Sequence, residues 1–303
     1  MALLLLIAFC GTVGAQWFWD SIGLKDEIRT TFYQGRERTF LVHIPEKVRG
    51  MKDVALVFVL HGGGGTPKSV AALSGFSKLA DDEGFIVVYP QAVNRHWNDG
   101  REVRRFLSHR EKVDDVGFIE VLIDTLVPEL GVDSRRIYAV GISNGGMMCH
   151  RLGIELSHRL GAFATVAASL PEKLTNKTPK MPISVLMING TADPVVPFEG
   201  GGVGVFASRG RVVSVAQAVE FWVKMNGCDS QPTKTTLVSD GDLTVQKTVY
   251  QNGRFGTEVE FLTVVGGGHT WPGGRERPSR FGKKSDAVNA TRVVWEFFSK
   301  HGR

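Results

Sequence analysis

Residues 137–146 read Ile-Tyr-Ala-Val-Gly-Ile-Ser-Asn-Gly-Gly. The stretch Ile137–Ile142 is a short, continuous apolar run, the pattern of a strand buried on both faces. From Asn144 to Leu156 the sequence reads as a helix. Gly141-Ile142-Ser143-Asn144-Gly145 is therefore a GxSxG pattern at a strand-to-helix junction. So tight a turn strains the serine backbone and lifts its hydroxyl above the sheet edge, while the flanking glycines keep room for the helix. A serine held there, near the positive end of a helix, is a candidate nucleophile.

Working outward, strands are expected at 28–33, 38–44, 54–60, 85–89, 163–168, 183–188 and 259–265, with a hairpin over 233–250. Helices are expected at 69–82, 113–130, 212–225 and 286–298. Buried strands alternating with helices imply an α/β fold, a mostly parallel central sheet covered on both faces. No internal repeat or low-complexity linker divides 28–303, so this span is read as one domain. Ligands gather at the carboxyl ends of such strands, and the residues that follow each strand carry the chemistry.

A serine hydroxyl needs a base, and in this kind of sheet the chain order is serine, acid, histidine. After strand 183–188 comes Asn-Gly-Thr-Ala-Asp193-Pro-Val-Val-Pro, where prolines stiffen the loop around the acid. After strand 259–265 comes Gly-Gly-Gly-His269-Thr-Trp-Pro. His269 is the one histidine of eight that follows a late strand within a glycine-rich turn. It would take the Ser143 proton, and Asp193 would orient the ring. Competing acids have other uses: Asp114 and Asp115 as cap or ion-pair residues, Asp240 and Asp242 in a hairpin turn, Asp286 at the start of the last helix. His61-Gly62-Gly63-Gly64 follows strand 54–60. Backbone N–H groups of Gly63, Gly64 and Asn144 are expected to hold a developing oxyanion, and His61 is read as a structural histidine bonded to backbone.

Composition narrows the alternatives. The 303 residues are 43% hydrophobic and 22% charged, which excludes a disordered or multi-span membrane chain. Net charge is +5, too mild to support nucleic-acid binding. No histidine or cysteine pair has metal-ligand spacing, and neither a Gly-Lys-Ser/Thr loop nor a GxGxxG with a ribose-binding acid occurs, so no metal or cofactor is expected.

Taken together, the motifs resemble the secreted polyhydroxybutyrate depolymerase and feruloyl esterase group of α/β-hydrolases. The matching stretches are LHGGGGT (60–66), FIVVYP (85–90), HWNDGR (96–101), VDDVGFI (113–119), GISNGGMM (141–148), NGTADPVVP (189–197) and GGGHTWPGG (266–274). The resemblance implies a Ser143–Asp193–His269 triad, little or no cap domain, and Trp97 and Trp271 flanking the substrate pocket. It implies a small-molecule or polysaccharide-borne ester as substrate, with hydroxycinnamoyl or short hydroxyalkanoate acids as the leading classes. Acetyl esters of polysaccharide and a serine peptidase on the same fold are the alternatives, and a non-enzymatic binding module is a distant third. Members often carry a cysteine near 250–256 to pair with the position of Cys228, but here the stretch reads YQNGRFG. Two basic loops, Arg95–Lys112 and Arg275–Lys284, are expected to border the site and favour anionic or aromatic esters. Soluble or polysaccharide-borne esters are expected to be preferred over crystalline polyester.

The amino end reads as an export leader. Leu3–Phe9 is an apolar run too short to span a bilayer, and Val13-Gly14-Ala15 suits cleavage after Ala15. A lipoprotein reading at Cys10 is weaker because Phe9 is bulky. A secreted or periplasmic protein with no membrane association in its mature form is expected, its oligomeric state open. Cys149 and Cys228 are expected to be buried free thiols.

Overall fold

The computed structural model describes residues 26–204, 208–240 and 243–303; the expected leader 1–15, Cys10 and Asp242 lie outside them. Strands β1 (Asp26–Tyr33) and β2 (Arg36–His43) form a hairpin whose turn, Gln34-Gly35, takes positive φ at both positions. That is the geometry a two-residue hairpin favours. Then come β3 (Val54–Leu60), α1 (Pro67–Ser74), α2 (Phe76–Glu83), β4 (Ile86–Pro90), α3 (Leu107–Arg110) and α4 (Asp115–Leu130). They are followed by β5 (Val132–Ile142), α5 (Asn144–Glu155), β6 (Ala162–Val166) and β7 (Ser184–Gly190). After the short pair β8 (Gly201–Gly202) and β9 (Arg211–Val212) the chain forms α6 (Val215–Asn226). It ends with β10 (Thr233–Asp240), β11 (Leu243–Tyr250), β12 (Val259–Val265) and α7 (Ala290–Lys300).

Ten of these strands form one sheet in the order β1-β2-β4-β3-β5-β6-β7-β12-β11-β10. From β4 to β12 all neighbours are parallel, and the hairpins at both ends are antiparallel. This is the α/β-hydrolase architecture. Every residue of β3 and β7 is buried, as the unbroken apolar run of β3 requires. Alternate side chains feed two cores. Leu56, Phe58 and Leu60 share one core with side chains of α4, α5 and α6, while Val57 and Val59 share the other with α1, α2 and α7. Each such buried side chain contributes about 1.5–3 kcal/mol.

Three of the helices that differ from expectation do so for a clear local reason. The helix expected at 69–82 is two, because Gly75 takes a left-handed conformation (φ 72°) and ends α1. α6 starts at Val215, where Ser214 and Gln217 form a capping box, and Val212 belongs to β9. α7 starts at Ala290 under an Asn289 cap, and Asp286 instead pairs with Lys284 Nζ at 2.6 Å.

The parallel order fixes what meets at the carboxyl end. β5 lies beside β3, which brings Ser143 next to the turn after His61. β7 lies beside β12, which brings the loops carrying Asp193 and His269 together.

Candidate active site

Ser143 sits between β5 and α5 with φ 58° and ψ −122°, a backbone conformation that costs about 1–3 kcal/mol for a residue with a side chain. Its N–H donates to Val166 O at 2.9 Å, and its carbonyl accepts from Met147 N at 2.8 Å, so the turn is held from both sides. Gly145 is required by close approach: a Cβ there would overlap the Leu60 carbonyl. The side chain of Ser143 lines a cleft of about 680 Å³.

His269 lines the same cleft. Its Nδ1 lies 2.7 Å from Asp193 Oδ2, and both side chains are almost fully buried. Asp193 Oδ1 accepts the N–H groups of Val195 (2.7 Å) and Val196 (2.8 Å), so the carboxylate is fixed at both oxygens. The glycine turn before His269 is tied down as well: Gly268 N–H donates to Lys283 O and His269 N–H to Phe281 O. Among the described residues the Ser143 hydroxyl makes no hydrogen bond to the His269 ring. In unliganded sites that contact often tightens only around a substrate.

Two backbone donors belong to residues that line the cleft with Ser143. The Asn144 N–H opens α5 and has no partner within the helix, and the Gly63 N–H has no acceptor among the described residues. A side-chain carbon placed on Gly63 would stand 3.6 Å from Asn144 Cβ, so the two are neighbours. Gly64 does not join them. Its N–H is already donated to Arg95 O at 2.8 Å, and it is absent from the cleft wall.

His61 is fully buried and structural. Its Nε2 accepts from Ala92 N–H at 3.2 Å, which leaves Nδ1 as the donor to Gly62 O at 2.8 Å. Burial is the main cause that pulls its pKa down to about 4, so the ring is neutral.

Trp97 and Trp271 do not flank the pocket. Both indoles are fully buried: Trp97 Nε1 donates to His61 O at 2.9 Å, and Trp271 Nε1 to Thr291 Oγ1 at 2.9 Å. An indole N–H needs an acceptor when buried, and these two spend theirs bracing the loops that carry the site. Around Trp97 the HWNDGR stretch forms a polar knot. The Asn144 side chain bonds to both backbone groups of Trp97 and to Asp99, and Asp99 pairs with Arg101 at 2.7 Å with both side chains buried. Besides His269, the rings that do reach the cleft are His96, Phe106 and Phe281. His96 stacks on Phe106 with centroids 4.1 Å apart.

Two of the rejected acids, Asp114 and Asp115, have the structural uses expected of them. Asp114 caps α4 through Gly117 N–H, and Asp115 is buried against Arg38 at 2.7 Å. The basic loops contribute unevenly. Arg275, Arg277 and Arg280 line the cleft, whereas of the earlier loop only Arg101 does, and it is committed to Asp99. Arg209, in the chain between β8 and β9, completes the wall and had no motif to announce it. Cys149 is a buried free thiol whose pKa burial raises, and Cys228 is free but only half-buried. Among the described residues, no group of three His, Cys, Asp or Glu side chains is placed to hold a metal ion, and no helix is long and apolar enough to cross a membrane.

Residues 48–203 match the family model described as phospholipase/carboxylesterase. The chain is 31% identical over 257 residues to a putative esterase, NocK, of Nocardia uniformis subsp. tsuyamanensis, covering 81% of this chain and 74% of that protein. It is 28% identical over 242 residues to feruloyl esterase B of Piromyces equi, covering 77% of this chain but 42% of that longer protein. Among solved structures, the acetyl xylan esterase from Aspergillus awamori superposes with a TM-score of 0.58 at 13% identity, covering 81% of this chain and 94% of that one. That likeness speaks to the fold alone.

Proposed function

The chain belongs to the phospholipase/carboxylesterase family of α/β-hydrolases, and we propose that it is a serine esterase acting through an acyl-enzyme on hydroxycinnamoyl esters. The observation that carries this reading is the convergence of three groups on one cleft. They are a strained Ser143 at the strand–helix turn, His269 bonded to Asp193, and the unpartnered N–H groups of Gly63 and Asn144. Ser143 Oγ attacks the ester carbonyl carbon while His269 Nε2 takes its proton, and the carbonyl π pair moves to the oxygen held by the two N–H groups. The C–O bond to the alcohol then breaks, with the proton passing from His269 to the leaving oxygen. Water, deprotonated by the same ring, releases the acid and restores Ser143. Asp193 keeps the proton of His269 on Nδ1 throughout.

The ring of Phe106 supports an aromatic acyl group, as does the feruloyl esterase name of one relative. Short hydroxyalkanoate and acetyl esters are the competing substrates on the same machinery. One catalytic domain over 28–303 and export through the Leu3–Phe9 run complete the reading. Turnover of methyl ferulate, p-nitrophenyl acetate, a 3-hydroxybutyrate dimer and a peptide tests it. Ester cleavage led by methyl ferulate is expected; peptide cleavage without ester cleavage would overturn it.

A further inference from the structure

Several arginines elsewhere in this protein are paired with acids: Arg29, Arg36, Arg38, Arg159 and Arg292 each meet a carboxylate within 3.3 Å. The cleft contrasts with these. Five arginines line it and no carboxylate does. Of these, Arg101 is neutralised by Asp99, while among the described residues Arg209, Arg275, Arg277 and Arg280 make no ion pair.

Two of the unpaired arginines are crowded onto one ring. The guanidinium of Arg277 lies 3.8 Å from the Phe281 centroid and that of Arg280 lies 5.1 Å from it. Burial and the charge of Arg280 both act to depress the pKa of Arg277, partly offset by Asp193. Like charges held together in a half-buried cleft oppose folding unless something of opposite sign visits them.

Their position says which part of a substrate they meet. Arg277 Nη1 donates to the backbone carbonyl of His269 at 2.9 Å, and Phe281 stacks on the His269 ring at 6.1 Å. This group therefore flanks the imidazole that hands its proton to the leaving oxygen, the side on which the alcohol departs. Arg209 belongs to the other wall, where its carbonyl is held by Arg101 near His96 and Phe106.

We propose that the cleft selects esters whose alcohol portion carries a carboxylate, bound by Arg277 and Arg280 on the His269 side. This rests on the serine-esterase reading and adds to it a charge requirement and a polarity. A carboxylate-bearing alcohol is equally a sugar acid or the free end of a hydroxy-acid oligomer, and the shared chemistry is what the arginines read.

Two pairs of isomeric probes separate the sides. 4-Acetoxybutanoate carries its carboxylate on the alcohol side and monomethyl glutarate on the acyl side, and the primary amide of each is the neutral control. The acid-to-amide ratio of kcat/KM is measured for both pairs, and for the longer alcohol-side acid 6-acetoxyhexanoate, with methyl ferulate as a positive control. The expected alcohol-side ratio is about tenfold or more, as one charge-assisted contact supplies, and the acyl-side ratio is near one. The alcohol-side ratio should shrink between ionic strengths of about 0.01 M and 1 M, as screening shortens from ~30 to ~3 Å. It should also fall toward one in Arg280→Gln and in Arg277→Gln. Ratios near one at both alcohol-side lengths, a preference confined to the acyl side, or no cleavage of alcohol-side probes while methyl ferulate is cleaved would each overturn the proposal alone. Failure to cleave any ester would overturn the esterase reading with it.

Discussion

Asp193 Oδ2 stands 2.7 Å from His269 Nδ1, and the other oxygen of the same carboxylate is held by two consecutive amides, those of Val195 and Val196. The acid is therefore not free to rotate, and the two oxygens have different duties. One fixes the loop and the other fixes the ring. Because β7 and β12 are parallel neighbours, this pairing is built into the sheet order and does not depend on a long side chain reaching across the cleft.

Asp193→Asn should lower kcat by about 10⁴-fold, because an amide favours the wrong imidazole tautomer and cannot stabilise imidazolium. Asp115→Asn should act on folding instead, since it leaves Arg38 buried without its partner, a cost of about 3–5 kcal/mol. Steady-state kinetics and urea unfolding on both variants separate the two effects. A nearly wild-type kcat for Asp193→Asn with a dead, well-folded Asp115→Asn would reverse the assignment.

The aromatic contacts make a second contrast. Trp271→Phe removes a buried N–H and takes away the donor to Thr291 Oγ1, whose hydroxyl still donates to Ser74 O. It should cost about 1–3 kcal/mol of stability and leave KM for methyl ferulate nearly unchanged. Phe106→Ala, at the cleft wall, should raise that KM severalfold. The opposite pattern would restore Trp271 to the pocket.

Stability should fall on the acid side partly through His61. Burial holds its folded pKa at about 4, against about 6.5 in the unfolded chain. Between those values the unfolded state binds a proton that the folded state refuses, so stability is complete above about 6.5 and declines as pH falls toward 4. His150, also buried and lowered to about 3, adds to the same slope. Unfolding free energies at pH 7.5, 5.5 and 4.5 should show a shallower acid slope in His61→Gln than in the wild type, whatever the variant's absolute stability. Equal slopes would mean that His61 is not held neutral.

The sheet and the three chemical residues could be read along the chain because their signals are local. Val54–Leu60 is a strand at the residues where its unbroken apolar run begins and ends, and Val259–Val265 is a strand at the bounds expected for it. Ser143, Asp193 and His269 each follow such a strand. What depended on three-dimensional neighbours was not legible. Nothing in HWNDGR says that Trp97 turns inward onto the His61 carbonyl and leaves His96 at the cleft, or that Arg95 takes the Gly64 N–H. Arg209 lies between two-residue strands with no periodicity of its own. Gly75 splits a helix because its left-handed turn outweighs an apolar spacing that continues through it.

Replacing the Ser143 side chain tests the whole site at one atom. Ser143→Ala removes only the hydroxyl from the turn and should keep the wild-type melting temperature while kcat on methyl ferulate and p-nitrophenyl acetate falls by about 10⁴-fold or more. A folded Ser143→Ala protein that retains more than about a hundredth of the wild-type rate would show that another group attacks the ester.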